Sequence, residues 1–341
     1  MALRPRTIVM TVFAAVAVIA VIVTGIAFWA NSPKPVKAIA SPTPTPSPVP
    51  VPVHKPARPL MSPFTGERVK ALRPVLAVKI DNVVEARPPT GLTRADIVYL
   101  IPVEGGLSRI FAVFSSHFPR IIGPVRSTRE DDIELLRQFG RPAFAFSGAQ
   151  SHLLPVVERS RIVDLYAGRV GGYFRDPNRV IPHNLYASMR KLRAESHGAS
   201  KARDIGFRFG PPPPGGRHIR SLSVSYPAAS FGFRWSARKG RWLVSMDGLS
   251  AMSTEDGQLG APTVVIQYTK VRTSRFLERS ARPPYAESTG SGRATVLRNG
   301  KAYRAHWSRP VADRGTTFTA ASGQPMTFAR GQVWIVLIAA H

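Results

Sequence analysis

Arginines, acids and glycines recur at the ends of apolar runs between residues 74 and 129, in PVLAVKIDNVVEARPPTGLTRADIVYLIPVEGG, SRIFAVFSSHFPR and IIGPVRSTR. Asp81 and Asn82 close one run, Glu104 closes the next, Arg87 sits in a proline-constrained loop, and Arg109 lies just beyond Gly105-Gly106. Ligands of α/β domains gather at the C-terminal ends of strands, so this placement suits a binding site. Arg126, Ser127 and Arg129 then lead into a segment with helix-start signals. Free backbone N–H groups, hydroxyls and guanidinium groups at a helix N-terminus suit a phosphate or a carboxylate. A structural role competes with this one. Glu130, Asp131 and Asp132 could neutralise those arginines as part of a cap, and a single acid or arginine at a strand end most often serves an Asx turn or a surface pair. The clustering, rather than any one residue, points to a site.

A second polar group is formed by Arg175-Asp176 and His183-Asn184. A lone histidine at a helix start is more often a cap or a satisfied hydrogen-bonding residue than a catalyst. No H-E-x-x-H, H-x-H or EF-hand spacing occurs, so a metal site would need scattered ligands, and none is expected. No P-loop, Rossmann fingerprint or G-x-S-x-G elbow occurs either, and no cofactor is expected. Zero cysteines exclude disulfides, thiolate zinc sites, a cysteine nucleophile and lipidation on an N-terminal cysteine.

The elements that must position these residues follow from periodicity. Residues 75–80, 97–103 and 110–114 read as buried strands. Ser127 and Glu130 fit a capping box, with Ile133, Leu136 and Phe139 along one face, and Gly140 and Pro142 end that helix. A second helix is expected from about Pro182 to Ala194. The PPPPGG of residues 211–216 stops regular structure and marks a boundary between residues 61–212 and 217–341. Beyond it the period becomes two, in Leu222, Val224, Tyr226; Phe231, Phe233, Trp235; and Trp242, Val244, Met246. Arg238-Lys239-Gly240 joins two of these strands, Asn299-Gly300 is a type I′ hairpin signal, and residues 333–338 form an apolar terminal strand that should sit centrally. The expected fold is a mixed α/β N-terminal domain with a smaller β-rich C-terminal domain.

Residues 8–29 form an uncharged apolar run that would span roughly 33 Å as a helix, enough to cross a bilayer. Arg4 and Arg6 precede it and Trp29 ends it, which places residues 1–7 in the cytoplasm and the remainder outside. A cleaved signal peptide is the alternative, since Ala38-Ile39-Ala40 resembles a cleavage site, but that site lies past the end of a run that is already long. Proline at nearly every second position through SPTPTPSPVPVP makes residues 30–60 a linker whose stretch from Ser32 to Pro59 is an extended spacer, up to ~85 Å long as polyproline II.

Six of the net +27 charges come from Arg4, Arg6, Lys34, Lys37, Lys55 and Arg58, leaving +21 on the remainder. A basic surface invites a nucleic-acid reading. An exported domain, however, meets lipid head groups, teichoic-type polymers and phosphorylated glycans first, so nucleic acid is the less suitable partner. A solvated basic surface of no special role is the plain alternative.

With these motifs assembled, the chain resembles the YerB-like lipoproteins, an exported bacterial family without an established activity. The resemblance rests on Lys79-Ile80-Asp81-Asn82, Glu85-Ala86-Arg87-Pro88, Val103-Glu104-Gly105-Gly106, Gly123-Pro124-Val125-Arg126-Ser127, Phe174-Arg175-Asp176 and Pro182-His183-Asn184-Leu185-Tyr186. It continues through Arg298-Asn299-Gly300-Lys301, His306-Trp307-Ser308 and Gly331-Gln332-Val333-Trp334-Ile335. It implies two domains exposed outside the cytoplasmic membrane. Two departures stand out. Members are often tethered through a lipidated cysteine, which this chain lacks, and Leu100 stands where the family commonly has an acid.

Three functions follow as expectations. One is a membrane-anchored module that binds an anionic envelope ligand or glycopolymer through its arginines. Another is a phosphotransferase or hydrolase acting on a lipid-linked pyrophosphate, by weak similarity to the LytR-CpsA-Psr type. The third is a scaffold that binds a protein partner through its C-terminal domain.

Overall fold

The computed structural model describes residues 59–278 and 281–340. The expected membrane helix and most of the proline-rich spacer lie outside the described residues, and no helix among those described is long and apolar enough to cross a membrane.

One large mixed sheet organises the chain. Its first strands are β1 (Leu76–Asp81), β2 (Ile97–Pro102), β3 (Ser108–Phe114), β4 (Ala143–Phe146) and β5 (Val163–Tyr166). β1 to β4 are buried throughout, as near-continuous apolar runs must be when a sheet is covered on both faces. A second, smaller sheet is built on β6 (Ser221–Tyr226), β7 (Ala229–Ser236) and β8 (Arg241–Met246), paired antiparallel in sequence. The chain then returns to the large sheet with β9 (Thr263–Thr269), β10 (Gly290–Arg298), β11 (Lys301–Arg309), β12 (Thr317–Ala320) and β13 (Val333–Ala339). The strand order is β12-β11-β10-β9-β13-β2-β3-β1-β4-β5, so strands from both sides of residues 211–216 share one sheet. The terminal strand β13 is the seam, parallel to β9 on one side and to β2 on the other. Its central position is the one its unbroken apolar sequence predicts. Asn299 and Gly300 turn β10 into β11 with φ of 50° and 72°, as the Asn-Gly signal requires.

Alternation divides the core into two layers. Val78, Ile80, Leu100 and Trp334 face the second sheet, where they meet Phe231, Phe233 and Trp242. Ala77, Tyr99, Phe111 and Ile335 face the opposite side, covered by Leu135 and Leu136 of helix α1 (Glu130–Arg137) and by Val157 of α2 (Leu154–Glu158). A short third helix, α3 (Met189–Ala194), buries Met189 and Leu192 in the first layer.

Two local expectations are corrected. The cap of α1 is Arg129, not Ser127, and the acid that reaches back is Asp132, whose Oδ2 accepts the Arg129 N–H at 2.8 Å. Arginine has no acceptor, so only the acid half of a capping box forms. Glu130 is drawn away to Ser274 and to the backbone and guanidinium of Arg275. The second helix begins at Met189 rather than near Pro182, because Leu185–Ser188 is a strand pairing with Ile121–Ile122 and Tyr173–Arg175. The large mixed sheet with few helices agrees with the expected mixed α/β and β-rich composition, with more strand and less helix in the N-terminal part than the sequence periodicity implies.

Candidate functional site

Asp81 ends β1 and stands directly across from Arg109 on β3, both on the face that α1 covers. Alternation puts Lys79 on that face too, where its Nζ meets Asp132 Oδ1 of α1 at 2.6 Å with both side chains fully buried. The arginine loop is fixed against this sheet end by its backbone. Asp81 N–H donates to Pro124 O and Arg126 N–H to Lys79 O, each at 2.9 Å, while Arg126 O accepts from Ser147 N–H at 3.0 Å. The fit is close at Gly123, where an added Cβ would fall 2.7 Å from the Tyr186 ring and 3.0 Å from Leu185 O. Glycine is required there by contact.

Two carboxylates organise the site. Asp81, 1% exposed at its side chain, presents Oδ2 to His183 Nδ1 at 2.8 Å and to Arg126 Nε at 2.9 Å, while Oδ1 accepts the Asn82 N–H at 3.0 Å. Glu104 accepts from Arg109 Nη2 at 3.2 Å, from Arg129 Nε at 2.9 Å and from Arg129 Nη2. Burial works to raise the Glu104 carboxyl, but the hydrogen bond from Arg129 and the charges of Arg109 and Arg129 outweigh it and hold it down at about 2. For Arg109, burial and the neighbouring Arg129 charge pull its guanidinium down to about 10. The carbonyls of Ser127 and Thr128 take further donors of Arg109 and Arg129 at 3.2 Å and 2.9 Å. Ser127 therefore serves through its carbonyl.

The remaining expected residues hold the loops around this centre. Arg87 grips Asn82 O with Nε and Nη2, at 3.1 and 2.7 Å, and reaches Asp247 with Nη1 at 2.7 Å. Asn82 Nδ2 donates to Ser108 Oγ at 2.8 Å, leaving its buried Oδ1 without a partner. Arg175 Nη1 donates to Asn184 Oδ1 at 2.6 Å, and Asp176 N–H to Asn184 O at 2.9 Å, which closes the loop that delivers His183. Asp81, Asn82, Glu104, Arg109, Arg126, Arg129 and His183 thus meet at one end of the sheet. Arg87 adjoins them, while Arg175, Asp176 and Asn184 stand one layer out.

Sequence reasoning left open that Glu130, Asp131 and Asp132 neutralise the arginines as part of a cap, whereas the acids that pair with Arg109, Arg126 and Arg129 at this sheet end are Glu104 and Asp81. It also missed Asp247 and Glu278, which approach Arg87 and Arg129 from the other half of the chain, and Arg179, which donates to Ala86 O and Pro88 O. Nothing local marks such long-range partners. Leu100, the position with the family departure, lies in the layer facing the second sheet, away from Asp81 and Arg109. Among the described residues, no three His, Asp or Glu side chains converge in a way that would hold a metal ion.

One donor group stays open. Arg126, 20% exposed at its side chain, pairs with Asp81 through Nε at 2.9 Å without hydrogen-bond geometry, and no side-chain hydrogen bond from Arg126 to the described residues forms. Beside it His183 turns Nδ1 to Asp81, which leaves Nε2 for a ligand.

Two family patterns match the chain: the N-terminal domain of a protein of unknown function, DUF3048, over residues 64–203, and its C-terminal domain over residues 222–335. "Putative lipoprotein YerB" of Bacillus subtilis (strain 168) is 42% identical over 87 residues, which cover 24% of this chain and 26% of that protein. The match thus spans about a quarter of the relative's length. The crystal structure of the YerB protein from Bacillus subtilis superposes with a TM-score of 0.71 at 22% identity, covering 82% of this chain and 97% of that one. It shows that the two share a fold.

Proposed function

We propose, for a chain that belongs to the DUF3048 family of YerB-like proteins, that it is an extracytoplasmic envelope protein whose sheet-end site binds a phosphate- or carboxylate-bearing ligand. The observation that carries this reading is Arg126, 20% exposed at its side chain, whose Nε lies 2.9 Å from Asp81 Oδ2 as an ion pair while its terminal nitrogens make no hydrogen bond to the described residues. A guanidinium so held pairs bidentately with an oxyanion at little further ordering cost. The neighbouring His183 supplies a second polar contact. The basic remainder of the chain would draw polyanions toward the site. The lipoprotein name of the Bacillus subtilis relative supports an envelope location, and residues 8–29 would provide the single-pass anchor, with the N-terminus inside.

Titration calorimetry with inorganic pyrophosphate across a salt series tests the binding. Affinity should fall with salt, and Arg126→Ala should weaken it by about tenfold or more. Absent binding, or binding indifferent to Arg126→Ala, would sink the proposal. Digestion of the chain by protease added outside intact spheroplasts checks the orientation.

A second reading is favoured by the Asp81–His183 hydrogen bond. A buried carboxylate that takes Nδ1–H fixes the tautomer and leaves Nε2 as a base, the arrangement used in acid–base hydrolysis. Phosphoester turnover that is lost in both His183→Ala and Asp81→Asn would support catalysis, while a rate equal to that of the variants would remove it.

A further inference from the structure

Arg87, which holds the carbonyl of Asn82 beside Asp81, also forms the wall of a groove of about 520 Å³. Val84, Pro88 and Pro89 line one side of it, and Met246, Leu249 and Met252 the other. Three of these side chains are far from buried, with Val84 66%, Leu249 74% and Met252 45% exposed. Scattered apolar residues on a surface are ordinary, but large ones gathered around one groove mark a place where something apolar binds. The loop that carries His183 also bears two exposed apolar side chains, Val180 and Ile181, and Arg179 fastens that loop to Ala86 O and to Pro88 O of the groove wall. Arg87 therefore connects the apolar groove, which it lines, to the cationic site through Asn82, the residue next to Asp81.

We infer that the anion bound at Arg126 is the head group of an amphiphile, a single-chain phosphate ester whose hydrocarbon lies in this groove. The inference rests on the reading of Arg126 as an anion site. Charge complementarity orients such a molecule, with its phosphate toward Arg126 and His183 and its chain running past Arg87. The Arg87–Asp247 ion pair on the wall is already neutral, so it leaves the chain an uncharged path. The groove has the volume of a pocket for a drug-sized apolar body.

Decyl phosphate, decanol and inorganic phosphate titrated into the full-length chain distinguish the possibilities. Decyl phosphate should bind about tenfold or more tighter than inorganic phosphate, since each buried methylene adds affinity. The double variant Val84→Gln, Leu249→Gln, at two exposed positions, should bring decyl phosphate back to the affinity of inorganic phosphate. Equal affinities for the two phosphates in the wild-type chain would overturn the groove while leaving the anion site standing. Decanol binding as tightly as decyl phosphate would show a groove with no head-group site and overturn the link. A gain that survives the double variant would place the chain elsewhere. If neither phosphate binds, the anion site itself falls, and this inference with it.

Discussion

At the scale of single residues, the site is a set of buried charges whose value depends on their partners. Glu104 is shared by Arg109 and Arg129, and Glu104→Gln would leave two largely buried guanidinium groups short of their carboxylate. With its partial exposure discounted, the loss should be ~2–3 kcal/mol by denaturant unfolding at pH 7. The sign with pH is set by a folded carboxyl held below its ordinary value. The stabilisation is complete above about 4.5 and disappears as pH falls through about 2, so variant and wild type should converge there. Asp96 behaves in the opposite sense. Burial pushes its carboxyl up to about 7 although Ser115 and Ser116 N–H groups donate to it at 2.5 and 2.8 Å. The folded state therefore binds the extra proton, and stability falls as pH rises from about 4 to 7. Asp96→Asn keeps an acceptor and should raise the melting temperature at pH 8 while changing little at pH 4. Residue types and positions at strand ends made Asp81, Glu104 and Arg109 legible in the sequence as a group, because any one of them alone would suit a turn or a surface pair and only their clustering at successive strand ends singles them out. The partners were not legible. Asp247 meets Arg87 across 160 positions, and no local pattern encodes that contact.

At the scale of elements, α1 shows how a tertiary contact overrides a local signal. Ser127 and Glu130 satisfy the capping pattern in sequence, yet Asp132 is held by Lys79 from β1 and by Thr128 Oγ1 at 2.9 Å, which places it to accept the Arg129 N–H instead. Periodicity located the helix, and a buried lysine on a strand set its first residue. The same competition shortened α3, where Tyr186 and Ala187 are buried in a strand pairing that a 3.6-residue pattern does not register. The ion pair between β1 and α1 allows a direct test. Lys79→Met should cost ~3–5 kcal/mol, because it strands the Asp132 charge in the core. Adding Asp132→Asn should recover most of that loss, since the amide oxygen can still cap Arg129. A double-mutant cycle by urea unfolding reads the coupling, and simple additivity would show that the two side chains do not depend on each other.

At the scale of the whole molecule, the last strand of the chain lies between β9 and β2, so it joins the half that carries the site to the half that completes the sheet. Side-chain contacts reinforce the join. The buried Arg309 of β11 donates to Glu134 O and Ser288 Oγ, each at 2.7 Å, and Glu134 in turn accepts from the hydroxyls of Ser288 and Tyr285. Helix α1, which caps the site, is thus held by residues more than 150 positions away. An apolar C-terminal strand was legible from its unbroken run, whereas the neighbours it chose were not, because period-two alternation is equally satisfied in any sheet. Removal of residues 332–341 gives the sharpest consequence. β2 would lose the partner on its β13 side, β9 would lose its parallel neighbour, and the buried faces of Trp334, Ile335 and Val336 would become a void through both core layers. Deleting even one large buried side chain costs several kcal/mol, comparable with much of a domain's net stability. The truncated chain should therefore show no cooperative thermal transition, and its site residues should lose protection in amide hydrogen exchange together with β2 and β9. Retained protection around Asp81 and Arg109 would instead mean that the site-bearing half holds its fold without the seam strand.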